Sequence, residues 1–353
     1  MRHLMTEHAD IIGADGLGIV SRIDGALDFT EKLLATNPLF AKANPLVADR
    51  IKQIKGQNRH YLAHEYFNRD WHPMHFAKMA EWLEPAKLTY ACSAHYPDYV
   101  ETVNLTPEQQ AFLKDIHDPM FKQTVRDFMV NQQFRKDYWV KGARRLTPLE
   151  QAQGLKDQRL ILTSHRPDVT LKIKGALGEA ILAEPVYNPV LDLMADHKVR
   201  SVGQIEQGVR DAGISFAQLI QAVLVLCSNA TLSTVQDDAA TTKAKKHTDK
   251  LNTHLMLKAR SSNDISALAS PVTGGGVTVG RFQQVFVLAI QQGKKKPDDW
   301  AAFVAQILDS QGQKIVKEGK PIETGQEQLA ELTNQAHDFA AKQLPIMKAL
   351  QIA

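Results

Sequence analysis

Residues 59–94 read RHYLAHEYFNRDWHPMHFAKMAEWLEPAKLTYACSA, and this stretch decides how the first half of the chain is interpreted. A helical start is interrupted at Pro73, and the apolar spacing of MHFAKMAEWLEPAKL then predicts an amphipathic helix. The segment LTYACSAH that follows is typical of a short strand. The stretch therefore predicts a mostly helical region with one short strand.

The histidines of this stretch raise the question of a metal site. His60 and His64 are four residues apart and would share one face of a helix, as two imidazole ligands of a metal require. However, Glu65 follows the second histidine instead of lying between the two, and a third ligand would have to come from beyond Pro73. A metal-dependent hydrolase is therefore the least favoured function. The alternative is that His64 and Glu65 cap a helix or form hydrogen bonds at a domain interface. The neighbouring side chains would then pack, namely Tyr61, Leu62, Tyr66, Phe67 and Trp71.

Downstream, two segments extend this helical region. LTPEQQAFLKDI predicts a helix start with Thr106 as N-cap, Pro107 at the first position and Gln109 completing a capping box. Residues 118–146 suggest one longer helix followed by a basic segment. Residues 57–145 are therefore expected to form one domain.

Beyond residue 145 the pattern changes. RLILTS and DVTLKIKG predict strands, and three helical patterns follow within residues 175–197, 201–213 and 215–229. Two short helices beside a small sheet suggest a winged-helix-like domain over 146–235. The second of them, 216–229, contains no lysine or arginine, so we expect it to be buried and not to read nucleic acid.

The last third, residues 236–353, is interpreted as a linker and a C-terminal helical domain. Residues 233–250 are polar and aperiodic, which favours a linker or mobile loop. SPVTGGGVTVG at 270–280 contains Gly274, Gly275 and Gly276 in succession. They are typical of a tight turn with close backbone approach, and a ligand-contacting role is the alternative.

The bulk composition excludes several classes of protein. The 353 residues carry a net charge of +3, too small to indicate nucleic acid or an anionic membrane as partner. Two cysteines fit a reducing cytoplasm, and no apolar run is long enough for membrane insertion. The glycine-rich GADGLG at 13–18 lacks the strand-to-helix context of a dinucleotide loop and is interpreted as a flexible loop.

Long stretches of the chain resemble one known family. YLAHEYFNRDWHPMHFAKMAEWLEPAKLTYACSA and the segment from 105 to 146 resemble the methyltransferase regulatory domain, and the resemblance continues through residues 268–289 and 300–332. This domain accompanies bacterial class I S-adenosylmethionine-dependent methyltransferases, including lysine methyltransferases of outer-membrane proteins. Candidate regulatory or substrate-contact positions are His64, Glu65, Tyr66, Trp71, Asn131, Arg135, Gly274, Gly275 and Gly276.

The resemblance implies a predominantly helical, multidomain α+β fold without a complete Rossmann domain. In the family S-adenosylmethionine binds an N-terminal domain, and residues 1–56 are expected to be a helical lead-in from such a domain. We therefore expect no catalytic, cofactor-binding or metal-binding residues in this chain. The expected partners are a protein substrate, a methyltransferase catalytic domain, or both, and a second copy in a homodimer. The alternative is a stand-alone scaffold protein that assembles with a separate methyltransferase.

Overall fold

The computed structural model describes residues 1–13, 16, 18–317 and 319–353. Three residues of the glycine-rich segment 13–18, at positions 14, 15 and 17, lie outside the described residues, so its interpretation as a loop stays a prediction. The chain divides into two compact units, Met1–His75 and Phe76–Ala353.

The first unit is helical. Its helices are α1 (Arg2–Ile11), α2 (Ile19–Ala35), α3 (Leu39–Ala43), α4 (Val47–Lys55) and α5 (Arg59–Glu65). The fully buried residues Ile23, Leu27 and Leu62 lie at the centre of its core. Apolar spacing on α2 places Ile23 and Leu27 one turn apart on the same face, which is why this face packs inward.

The second unit begins with four helices and a strand pair. These are α6 (Phe76–Leu83), β1 (Leu88–Ser93), α7 (Glu101–Asn104), α8 (Pro107–Lys114), α9 (Pro119–Met129) and β2 (Asp137–Lys141). The predicted strand β1 is confirmed and pairs antiparallel with β2. The capping box of α8 is also confirmed, since the side chains of Thr106 and Gln109 each bond the other residue's backbone N–H.

The longer helix predicted within residues 118–146, ahead of the basic segment, is wrong in its length, because α9 ends at Met129 and residues 137–141 form β2. Asn131 adopts a left-handed conformation with a φ of +49°, and the Gln132 N–H donates to the Asp127 carbonyl at 2.8 Å. Asparagine tolerates this conformation and commonly ends helices. The chain can therefore turn back and add β2 to the sheet.

The middle of the second unit contains four α-helices and two small sheets. Its elements are α10 (Pro148–Lys156), β3 (Arg159–Leu162), β4 (Lys172–Gly175), β5 (Gly178–Ile181), α11 (Glu184–Leu193), β6 (Arg200–Ser201), α12 (Val202–Gly208), α13 (Phe216–Ser228) and β7 (Leu232–Thr234). The predicted strands β3 and β4 are confirmed, and so is the burial of α13, where Leu219, Ala222 and Leu226 are almost fully buried.

The helix predicted across residues 175–197 is wrong in its first part. Residues 172–181 form the antiparallel hairpin β4–β5, and α11 begins only at Glu184. Gly178 has a φ of +118°, a conformation that glycine adopts at little cost and that lets the chain reverse there. Strands β6, β3 and β7 form a three-stranded antiparallel sheet in that order. The winged-helix-like interpretation of this region stays a prediction.

The last part of the second unit is mostly helical. Its elements are α14 (Asp238–Ala259), β8 (Ala267–Ser270), β9 (Gly275–Thr278), α15 (Arg281–Gln291), α16 (Pro297–Ser310), β10 (Val316–Lys317), β11 (Lys320–Pro321), α17 (Gly325–Asp338) and α18 (Leu344–Ala349). A π-helical segment, Phe339–Gln343, connects α17 with α18.

The linker or mobile loop predicted over residues 233–250 is wrong, because most of it belongs to the 22-residue helix α14. The Asp237 side chain caps this helix by accepting from the Ala240 N–H at 2.6 Å. Further along, the buried Asn252 side chain bonds both the N–H and the carbonyl of Ala269 in β8, at 2.7 and 2.8 Å. These tertiary bonds hold a polar helix in place.

Strand β3 separates the two cores of the second unit. Leu160 and Leu162 belong to the core with α11 to α13, whereas Ile161 belongs to the core with α14 to α17. Side chains alternate between the two faces of a strand, so one short apolar run can contribute to both cores. The fold is thus α+β and predominantly helical. In the described ranges, no helix is long and apolar enough to cross a bilayer.

Candidate functional site

The sequence-predicted positions of the first unit lie at the surface. His64 and Glu65 are exposed at the end of α5, and neither makes a side-chain hydrogen bond to another described residue. The described residues therefore show no partner for the hydrogen bonds predicted for His64 and Glu65, which stay a prediction. Tyr66 is half-buried, and its hydroxyl accepts from Arg50 at 2.7 Å. Tyr61 is also exposed, so its predicted packing is wrong.

Trp71 is held at its surface position by the N-terminal helix. The ring is 43% exposed, and the Arg2 guanidinium lies 4.3 Å from its centroid. Arg2 also donates to the Asn68 carbonyl. An exposed cation–π contact of this kind contributes about 0.5–1 kcal/mol.

The histidine-rich stretch shows no metal-binding geometry. In residues 1–13, 16, 18–317 and 319–353, no three histidine, cysteine, aspartate or glutamate side chains are placed to hold one ion. His60 and His64 share α5, as their spacing predicts, but no third ligand among the described side chains joins them. This arrangement gives no support to the metal-dependent hydrolase.

Arg135 lies at the centre of a polar cluster in the second unit. Its guanidinium donates through Nε and Nη2 to both carboxylate oxygens of Asp137, at 2.8 and 2.9 Å, and through Nη1 to Asp127 at 2.5 Å. The same group lies 4.3 Å from the ring centroid of Phe76. Burial lowers the pKa of Arg135, but Asp137 and Asp127 outweigh it and raise the pKa above its usual value. The side chain is committed to holding α6, α9 and β2 together.

The three consecutive glycines serve the β8–β9 hairpin. Gly274 has a φ of +71°, and a Cβ atom there would lie 2.1 Å from Nε2 of Gln236. Gly275 and Gly276 begin β9 and pair with Ser270 and Ala269. The predicted tight turn is confirmed at Gly274. A glycine turn that joins two strands differs from a cofactor loop, in which glycines lead from a strand into a helix.

A cavity of about 450 Å³ opens between β1, the segment 96–102, α8, α9 and α13. Its polar lining includes Ser93, Asp98, Glu101, Lys122, Arg126 and Gln221. We call it the Arg126 cavity. Sites for small ligands commonly have this size and a few convergent polar groups.

Asp98 organises one wall of the Arg126 cavity. Its carboxylate accepts from the Ser93 hydroxyl at 2.6 Å and from Arg126 Nη2 at 3.1 Å, and it lies 3.3 Å from the His95 ring nitrogen. Burial by itself raises the pKa of Asp98, but the Ser93 hydrogen bond and the charge of Arg126 lower it below its usual value. The carboxylate is therefore kept ionised and fixes the Arg126 side chain.

Replacing Asp98 by asparagine should lower the free energy of unfolding by about 1–3 kcal/mol near pH 7, because Arg126 loses its charged acceptor. A carboxyl whose pKa is lowered by folding adds stability above its unfolded pKa, ordinarily 3.8, and loses it as the pH falls through the folded value. The gap between wild type and Asp98→Asn should therefore close at acid pH. Urea denaturation over a pH series measures this, with the exposed Asp115→Asn as control. A gap that persists below the folded pKa would contradict the assignment.

Sequence reasoning did not find the residues of the Arg126 cavity. They come from separate segments between residues 90 and 221, and no spacing connects them. The one local signal is the spacing of Lys122 and Arg126, four residues apart on α9, which places both on one helix face.

Three comparisons relate the chain to known proteins. Residues 58–141 match the family described as predicted methyltransferase regulatory domain. An uncharacterized protein of Synechocystis sp., sll1526, is 38% identical over 335 residues, which cover 95% of this chain and 65% of that protein. The chain therefore spans just under two thirds of the length of this relative.

Solved structures show a similar fold. PKMT2 from Rickettsia typhi in complex with AdoHcy aligns with a TM-score of 0.61 and 15% identity, covering 100% of this chain and 71% of that one. A second structure of PKMT2 aligns with a TM-score of 0.55 and 14% identity, covering 98% and 71%. At this level of identity the likeness establishes the fold alone.

Proposed function

We propose that this chain is the regulatory and substrate-recognition portion of a class I S-adenosylmethionine-dependent methyltransferase, because residues 58–141 match the predicted methyltransferase regulatory domain family. The family match carries the proposal. The shared fold with PKMT2, solved in complex with AdoHcy, supports it along the whole chain. The proposed methyl acceptor is a protein lysine, as the resemblance of the sequence implies.

The pairing of the described strands favours a cofactor-binding domain separate from the described residues. A class I cofactor site lies at the carboxyl edge of a mostly parallel sheet, where a glycine-rich turn enters a helix. Here every described strand pair is antiparallel, and the largest sheet has three strands. This strand arrangement supports the proposal that S-adenosylmethionine binds a separate domain.

Exposed aromatic side chains favour a role in protein contact. Phe112, Phe121, Phe128 and Phe134 are each more than half exposed. Phe121 and Phe128 are seven residues apart on α9, so they lie two turns apart on the same side of the helix. Large exposed apolar side chains are common where a protein meets another protein. This supports contact with a catalytic domain or a protein substrate, and equally the alternative of a scaffold for a separate methyltransferase.

Calorimetric titration of S-adenosylmethionine into this chain should give no saturable heat. The upstream reading frame provides the matched comparison: if it continues into a glycine-rich Rossmann segment, the extended protein should bind the cofactor with saturation. A separate methyltransferase gene upstream would favour the scaffold. Saturable micromolar binding to the present chain would show that the cofactor site lies within it and overturn the proposed division of roles.

A further inference from the structure

The Arg126 cavity contains cationic groups with unused hydrogen-bond donors. Lys122 and Arg126 lie one helical turn apart on α9, and both line the cavity. Arg126 donates one hydrogen bond, to Asp98, and its side chain is only 11% exposed. Its remaining N–H groups, and the Lys122 ammonium, have no partner among the described residues. Two adjacent cationic donors of this kind suit a carboxylate.

The same cavity also contains an unpaired carboxylate. Glu101, in the short helix α7, lines it, and its carboxylate forms no hydrogen bond or ion pair with another described residue. Asp98, in contrast, is already bonded by Ser93 and Arg126. A purely anionic ligand would be repelled by Glu101, and a purely cationic one by Lys122 and Arg126. A ligand that carries both charges avoids both penalties.

We propose that the Arg126 cavity binds a small zwitterion of the size of an amino acid or a dipeptide. Its carboxylate accepts hydrogen bonds from Lys122 and Arg126, and its ammonium group pairs with Glu101. The cavity volume of about 450 Å³ suits a molecule of this size. The amides of Gln110 and Gln221 on the lining provide further polar contacts. This inference goes beyond the proposed function and does not depend on it.

Calorimetry on the full chain tests the site with defined probes. Glutamine and the dipeptide alanylglutamine are zwitterions of the two proposed sizes. Two blocked probes serve as controls, because N-acetylglutamine lacks the ammonium charge and glutaminamide lacks the carboxylate. We expect saturable binding of at least one zwitterion, and binding weaker by about tenfold or more for each blocked probe, since a charged hydrogen bond contributes that much. Whichever zwitterion binds more tightly identifies the size class.

Three variants locate the binding. Lys122→Gln and Glu101→Gln should each weaken binding of the zwitterion by about tenfold. The control Lys114→Gln replaces an exposed lysine on α8 with the same change in charge as Lys122→Gln, and it should leave the affinity unchanged. Unchanged melting temperatures show that the variants fold. The proposal is overturned if neither zwitterion gives saturable heat, if the blocked probes bind equally well, or if Lys122→Gln binds like wild type.

Discussion

Replacing Arg135 by methionine should lower the free energy of unfolding by about 3–5 kcal/mol. The substitution leaves the carboxylates of Asp127 and Asp137 without their shared cation, and their side chains are only 16% and 9% exposed. It also removes the guanidinium from the face of Phe76. Urea denaturation of the chain, followed by circular dichroism, measures the loss.

Two controls separate charge from packing in this cluster. Arg145→Met removes an exposed arginine and should change stability little. Adding Asp127→Asn and Asp137→Asn to Arg135→Met should recover part of the loss, because the unpaired charges are removed. If the triple variant is as unstable as the single one, the cost comes from lost packing on Phe76 and not from buried charge.

Replacing Phe286 by alanine should cost about 3–5 kcal/mol of stability, by loss of apolar burial and by the cavity that remains. Phe286 is fully buried in α15, and its ring lies 5.6 Å from that of Phe339 in the π-helical segment. Phe339 in turn contacts Trp300 of α16 at 6.1 Å between ring centroids. The rings of Phe286, Phe339 and Trp300 therefore connect three helical segments of the C-terminal core.

The matched control for this variant is Phe282→Ala, on the same helix but only partly buried. Its cost should be clearly smaller, since less apolar area is lost. Urea denaturation followed by circular dichroism gives the comparison. Equal losses for the two variants would mean that the C-terminal core can relax around Phe286, contrary to the packing described above.

Local signals explain what could be predicted. The Thr106–Gln109 capping box, strands β1 and β3 and the buried helix α13 depend on neighbouring residues and on apolar periodicity, both visible in the chain itself. The methyltransferase regulatory domain was also identified from long stretches of sequence, and the match over residues 58–141 confirms it. For the same reason, the turn at Gly274 could be predicted from composition.

The sequence pattern predicts the wrong structure where contacts between distant segments decide it. Helix α14 has few apolar residues and was predicted as a linker, yet Asn252 anchors it to Ala269 of β8. Asp237 was the local signal that could have found its start. In the same way, residues 137–141 form strand β2 because β1 provides a pairing partner. Apolar spacing within this segment does not reveal a partner that lies elsewhere in the chain.

By itself, the sequence determined the helical character of the chain, several helix starts and strands, and the family of residues 58–141. Only the tertiary structure decided what the individual polar residues do. Arg135 became a buried bridge between Asp127 and Asp137, while His64 and Glu65 stayed at the surface. It also assembled the Arg126 cavity from segments up to about 130 residues apart in the chain, from Tyr90 to Gln221. The physical reason is that caps and periodicity act between neighbours, whereas burial and charge pairing depend on which distant segments the fold brings together.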